Sequence, residues 1–356
     1  MNAVLVINPG STSTKMTIFD DGKLIAEQTI RHSVEELAPF SGVMDQIDFR
    51  YQEVSTFLED EEYEKKLSAV VGRGGLLKPI PGGTYIVTEG LLEDLRTEKY
   101  NTHASNLGGI LADKFGKSLG IPAFIVDPVV VDELTPIARL SGLKGINRRS
   151  VSHALNQKAV ARKITKDMGL TYSQSSLIVA HLGGGISIGA HENGKMIDVV
   201  NGLDGEGPYS PERTGTLPLV DFAQMIIEKQ LDMAQVKKVL AGEGGIKSYL
   251  NETDIRQLTE EIKNGNEEVK LVLDGMCYQI AKGICEMSSV LKGNVNAVIL
   301  TGGIAYSDYI VNEITQYVQW IAPIETVAGE MEMEALYEGA LRVLTGSEEP
   351  LIYEEQ

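Results

Sequence analysis

Val4-Leu5-Val6-Ile7-Asn8-Pro9-Gly10-Ser11-Thr12-Ser13-Thr14-Lys15 and Leu177-Ile178-Val179-Ala180-His181-Leu182-Gly183-Gly184-Gly185 are two versions of one phrase, half a chain apart. Each begins with an apolar β-rich run, and each then enters a loop of small residues. The first continues to the turn Asp20-Asp21-Gly22-Lys23. The second passes through Ile186-Ser187-Ile188-Gly189 to His191-Glu192-Asn193-Gly194-Lys195. Asp-Gly or Asn-Gly between apolar runs is a strong hairpin signal. A second echo links Ser68–Gly75 with Asn296–Gly303, both short β-rich runs that end in a glycine turn. The repetition predicts two domains of one design. Backbone amides and hydroxyls in such tight loops can donate to phosphate oxygens.

Helical spacing of apolar residues predicts helices at His103–Leu119, Val151–Met168, Glu267–Leu291 and Glu332–Leu344. Alternation of these with strands argues for an α/β protein. The second repeat carries an insertion between His181 and Thr301. It holds two loops rich in Gly, Asp204–Gly215 and Gly242–Tyr249, the first with Pro208 and Pro211 as well. The domain boundary is placed at 148/149, beside a hinge at Gly145–Ser150. The C-terminal helix, about 334–356, is expected to return to the first domain, which leaves 149–333 as the second.

The chain has 356 residues, 43% of them hydrophobic, and a formal net charge of −18. A polyanion would be repelled, so no nucleic-acid partner is expected. No apolar run reaches membrane-spanning length, and no basic segment with a long apolar stretch opens the chain. No membrane partner is therefore expected, and the location is read as cytoplasmic. Cys277 and Cys285 are read as buried thiols with neither disulfide nor zinc spacing. An acidic protein that takes an anionic ligand must build local positive charge, so basic side chains beside glycine loops are the candidates. Gly10–Lys15 lacks the second glycine of a P-loop, and Gly183-Gly184-Gly185 opens a hairpin rather than a helix.

Asn8-x-Gly10-Ser11-x-Ser13-x-Lys15, Arg148-Arg149-x-x-x-His153, His181-Leu182-Gly183-x-Gly185 and Thr301-Gly302-Gly303-Ile304 together resemble the acetate kinase family. The loop variants are similar to those of its butyrate kinase branch, and the resemblance covers nearly the whole chain. It implies two duplicated actin-like (ribonuclease H-like) α/β domains, each a mixed sheet flanked by helices, with the active-site cleft between them. It implies that ATP and butyrate, or a similar short or branched-chain fatty acid, become ADP and an acyl phosphate. Acetate or propionate is an alternative acid. A sugar kinase, with Asp127 as base, or a non-metabolic ATPase of the same superfamily is a further alternative.

The resemblance also implies roles. Arg73, with Gly74, binds the acid, and Arg213 meets the phosphoryl group in transit. Asp127, His153 and His181 join them as catalytic residues. Mg²⁺ is expected on Asp127 and Glu332, with Glu330 as the rival to Glu332. ATP or ADP is expected against Asn8, Ser11, Ser13, Lys15, Gly183, Gly184, Gly185, Gly244, Gly245, Gly302, Gly303 and Ile304. His103, at the start of the His103–Leu119 helix, is a further candidate. The partners implied are a small carboxylic acid, ATP, and further copies of this chain in a homodimer or larger assembly.

Overall fold

Strand Ala3–Gly10 turns straight back into Ser13–Asp20, and Asp21-Gly22 turns that into Lys23–Arg31. Asp21 and Gly22 both take positive φ, as a tight hairpin demands. The computed structural model describes residues 2–203 and 205–354, so Asp204, at the head of the first insertion loop, lies outside the described residues. The chain forms two compact units, Met1–Val131 with Met331–Gln356, and Asp132–Glu330.

The first unit holds a seven-stranded mixed sheet. Its order is Leu351–Ile352, Thr84–Ile86, Ala123–Val126, Leu67–Arg73, Ala3–Gly10, Ser13–Asp20 and Lys23–Arg31. Ala3–Gly10, Leu67–Arg73 and Ala123–Val126 run parallel. Leu5, Ile7, Met16 and Ile18 are sealed against Val54, Phe57, Leu111 and Phe115 of the covering helices. Helix Asn106–Leu119 lies unusually close to Leu67–Arg73, because two glycines meet. A Cβ on Gly72 would stand 2.0 Å from the Gly108 carbonyl oxygen, and one on Gly108 would stand 2.2 Å from that of Arg73.

The second unit repeats the plan with five strands, in the order Ile324–Ala328, Ala297–Gly302, Ser176–Leu182, Ile186–Glu192 and Lys195–Val200. The first three are parallel and the last two continue as an antiparallel meander. Helix Glu267–Val290 buries Leu273, Met276, Cys277, Ile280 and Ile284 against this sheet. Cys277 is buried, whereas Cys285 keeps partial exposure. The insertion contains more than its glycine loops: helices Leu219–Lys229, Met233–Leu240, Ile246–Leu250 and Ile255–Lys263 also form.

The chain changes unit at Val131–Asp132, before the 148/149 position and the 145–150 segment favoured by the sequence reading. Residues 132–148 are held by the second unit. Glu133 pairs with the buried Lys158 ammonium at 2.9 Å and accepts from the Met196 amide at 2.7 Å. Arg148 donates to Asp198 and to the Val199 carbonyl. Such contacts are invisible to composition, which marks only the glycines at 142 and 145. No described helix is long and apolar enough to cross a membrane.

The glycine contact sets the height of the helix above the strand that ends in Arg73. Gly108→Ala should therefore cost about 1–3 kcal/mol of stability by overpacking, read by urea unfolding. Gly42→Ala, where an added Cβ meets nothing within 4 Å, should be close to neutral. Equal effects would contradict a close approach at Gly108.

Candidate active site

The parallel strands of each unit end on the same side, and their carboxyl ends carry the candidate residues. In the first sheet, Ile7 stands opposite Gly72, and Arg73 opposite Val126. Asn8, Arg73 and Asp127 are therefore delivered together by three neighbouring strands. Such strand ends are where open α/β sheets bind ligands. Helix Glu332–Leu344 adds its first carboxylate. Glu332 forms an ion pair with the Arg73 guanidinium and accepts from Asn8 Nδ2 at 2.9 Å. The expected metal ligand thus holds the expected acid-binding arginine and the asparagine expected against phosphate.

Gly74 lets the turn after Arg73 press on the next corner, since a Cβ there would lie 2.5 Å from Pro128 Cβ. Asp127 is buried, with φ at 38°, in the left-handed region. Its carboxylate accepts from the Gly83 amide at 2.7 Å, while its own amide donates to the Gly83 carbonyl. Asn106 Oδ1 accepts from the Leu76 amide at 2.7 Å and so fixes the far side of the Arg73 turn. His103 lies nearby; burial, then the charge of Arg73, lowers its pKa from the ordinary value.

The Ser11–Ser13 loop is exposed at its tip and braced from beneath by a fully buried arginine, Arg50. Arg50 donates to the Ser13 carbonyl at 2.8 Å and to Thr14 Oγ1 at 3.1 Å. Thr14 in turn contacts His32 Nε2 and Glu53. Burial lowers the pKa of Arg50, and Glu53 opposes that shift. Sequence reading missed Arg50 and Asn106. A lone arginine inside a helix carries no motif, and Asn106 was visible only as a helix-start residue. Lys15 is half-exposed and pairs with Glu27 at 3.1 Å on the neighbouring outer strand.

In the second unit the corresponding ends carry His181, Thr301-Gly302 and Gly329-Glu330. His181 is buried, and its ring stacks on His153 with centroids 3.7 Å apart and planes 6° from parallel. Glu330 Oε1 lies 3.5 Å from His181 Nε2.

The Gly183–Gly185 loop is latched to the insertion. Ser210 Oγ donates to the Gly184 carbonyl at 2.6 Å, and Arg213 donates to the Gly202 carbonyl. Arg213 lies flat over Gly185, where a Cβ would stand 1.9 Å from its Nη1. Burial lowers the pKa of this guanidinium, with Glu212 opposing. Gly245, at φ 64°, backs the same turn, since a Cβ there would lie 1.9 Å from the Ser210 carbonyl oxygen. A Cβ on its neighbour Gly244 would meet Thr214. Both glycines thus support the Arg213 turn.

Gly303 and Ile304 instead line a cavity of about 450 Å³, shared with Ile255, Thr259, Tyr306 and Tyr309. Gly302, at φ 91°, makes the turn into it.

Among the described residues no group of three His, Cys, Asp or Glu side chains is placed to hold a metal ion. Mg²⁺ commonly takes only one or two protein carboxylates, with phosphates and waters completing its shell. Asp127 and Glu332, in one unit, have the right oxygen donors for that role.

The sequence model of the acetokinase family matches residues 139–322. A protein of Enterococcus faecalis named "Probable butyrate kinase" is 64% identical over 355 residues, covering 100% of this chain and 98% of that one. Among solved structures, the acetate kinase of Porphyromonas gingivalis matches with a TM-score of 0.77 at 19% identity, over 98% of this chain and 100% of that one. A propionate kinase from Francisella tularensis matches with a TM-score of 0.72 at 17% identity, over 95% and 99%. These two likenesses establish the actin-like two-domain α/β fold. With a family match over more than half of its length and a relative so similar from end to end, the chain belongs to the acetokinase family, a family of carboxylate phosphotransferases.

Proposed function

We propose that this protein transfers the terminal phosphoryl group of ATP to butyrate, or to a similar short or branched-chain fatty acid, giving acyl phosphate and ADP reversibly. The observation that carries the choice of acid is the 64% identity, end to end, with the Enterococcus faecalis protein named for butyrate. Acetate and propionate are the nearest alternative acids.

A carboxylate is already a nucleophile, so the reaction needs no general base. The obstacle is one anion approaching another, and catalysis reduces to positioning and neutralising charge. Each proposed cation leans on a protein oxygen: Arg73 on Glu332, and Arg213 on the Gly202 carbonyl. In this reading Arg73 exchanges Glu332 for the acid carboxylate, which a guanidinium can grip through two hydrogen bonds. Arg213 exchanges the Gly202 carbonyl for an oxygen of the transferring phosphoryl group. His153 and His181 supply ring N–H donors. Amides and hydroxyls of Asn8, Ser11, Ser13 and Gly183–Gly185, with Lys15, take phosphate oxygens. Gly302, Gly303 and Ile304 take the adenosine side, while Gly244 and Gly245 serve it indirectly through the Arg213 turn.

Asp127 and Glu332 would hold Mg²⁺, with Glu330 as the alternative to Glu332, and the ion supplies neutralisation of phosphate charge. Release of Glu332 from Arg73 by the incoming acid would free that carboxylate for the role. A cytoplasmic location and a homodimer or larger assembly belong to the same proposal.

The direct assay traps acyl phosphate with hydroxylamine, using ATP, Mg²⁺ and a panel of C2–C6 acids and sugars. Butyrate or a branched C4–C5 acid should give the most hydroxamate. A methylene or two in an apolar pocket is worth about 1–3 kcal/mol, so acetate should be poorer. Sugar phosphorylation with no hydroxamate from any acid would overturn the proposal.

The two arginines should fail differently. Arg73→Ala should mainly raise KM for the acid, because it removes a ground-state contact. Arg213→Ala should mainly lower kcat, by roughly the 2.7–4 kcal/mol that a lost oxyanion donor costs. Near-normal kinetics in both would contradict the roles given to them.

A further inference from the structure

The stacked histidines sit at the ends of two hydrogen-bond chains whose direction can be read. Gln157 is fully buried in helix Ala154–Asp167. Its Nε2 lies 3.1 Å from the Ser187 carbonyl, which can only accept. That contact fixes which end of the amide is nitrogen. The second N–H then points to Ser187 Oγ at 2.8 Å, while Oε1 faces His191 Nε2 at 3.0 Å. His191 must therefore carry its proton on Nε2 and accept from Tyr172 at Nδ1, 2.8 Å away. Burial, followed by the charges of Lys158 and Arg162, holds the pKa of that ring well below the ordinary histidine value. Ser187 Oγ, already accepting from Gln157 and, at 3.4 Å, from the His153 amide, has one proton to give, and His153 Nδ1 stands 2.9 Å from it.

A second chain has the same logic. Thr301 Oγ1 donates to the Gly329 carbonyl at 3.1 Å, so it must accept from Asn156 Nδ2 at 3.2 Å. That orients the Asn156 amide, whose nitrogen is also 3.0 Å from His181 Nδ1. His181 thus accepts at Nδ1.

We infer that Ser187 and Asn156 are positioning residues that lock His153 and His181 in the same tautomer, each with its proton on Nε2. The polarity of each chain is set by one main-chain carbonyl, that of Ser187 or Gly329. Gly189 makes room for the first chain, since a Cβ there would lie 2.4 Å from Gln157 Oε1. The tautomers stand on these contacts alone; their value to transfer rests on the function proposed above. A neutral ring locked this way is a hydrogen-bond donor at Nε2 without a net charge, so two can stack face to face and still both donate to phosphate oxygens.

The chain has only five histidines, so long-range proton–nitrogen NMR of histidine-labelled full-length protein can resolve each ring. His153→Gln and His181→Gln assign the two signals. Both rings should show the Nε2–H tautomer in the wild type at mildly alkaline pH. Ser187→Ala should give His153 a mixed tautomer and leave His181 alone, and Asn156→Ala should do the converse. Each should lower kcat by roughly two- to tenfold, the worth of one hydrogen bond, with a smaller change in KM for the acid. An Nδ1–H tautomer for either ring in the wild type would overturn the inference, and so would unchanged spectra in both variants. Altered tautomers with unchanged kcat would overturn the positioning role. The expected spectra, with no acyl phosphate formed from any acid, would leave the tautomers standing and remove the proposed function instead.

Discussion

One carboxylate organises the first unit's strand ends. Glu332 pairs with Arg73 and accepts from Asn8, and so ties the first residue of the terminal helix to two parallel strands. The arrangement answers a general difficulty. A protein of net charge −18 that handles anions needs cations at its strand ends, and a partly buried cation needs an oxygen partner. Glu332 supplies that partner for Arg73, and the Gly202 carbonyl does so for Arg213. The Arg73–Glu332 pair is only partly buried, whereas the Lys158–Glu133 pair is sealed into structure.

Glycine decides where these cations can stand. Gly185 leaves the space that the Arg213 guanidinium fills, and Gly245 lets the main chain behind it close. Gly72 and Gly108 let a helix settle onto the strand that ends in Arg73. The glycines of the acetokinase motifs therefore differ in purpose. Some border a loop or cavity, as Gly303 does, while others hold a catalytic candidate from behind.

Much of this was legible in the sequence because it is periodic or repeated. The two hairpins follow from Asp-Gly and Asn-Gly turns between apolar runs, the strand ending in Arg73 from its β-rich run, and helix Glu332–Leu344 from apolar residues at helical spacing. The residues that support the site were not legible, because their signal is three-dimensional. Arg50 reaches back to the Ser13 carbonyl from another element. Gln157 and Ser187 meet only once helix and hairpin are packed. The segment 132–148 joins the second unit through Glu133 and Arg148, whose partners are far along the chain. Helices of the insertion were hidden by the glycine loops that separate them.

In the proposed reaction a carboxylate oxygen attacks the terminal phosphorus of ATP with no base and no adenylated intermediate. Butyrate labelled with oxygen-18 in both carboxyl positions tests it. Hydroxylamine attacks the acyl carbon of the product, so the bridging oxygen leaves with phosphorus. The released inorganic phosphate should then carry one labelled oxygen. Unlabelled phosphate, or label appearing in AMP, would contradict it.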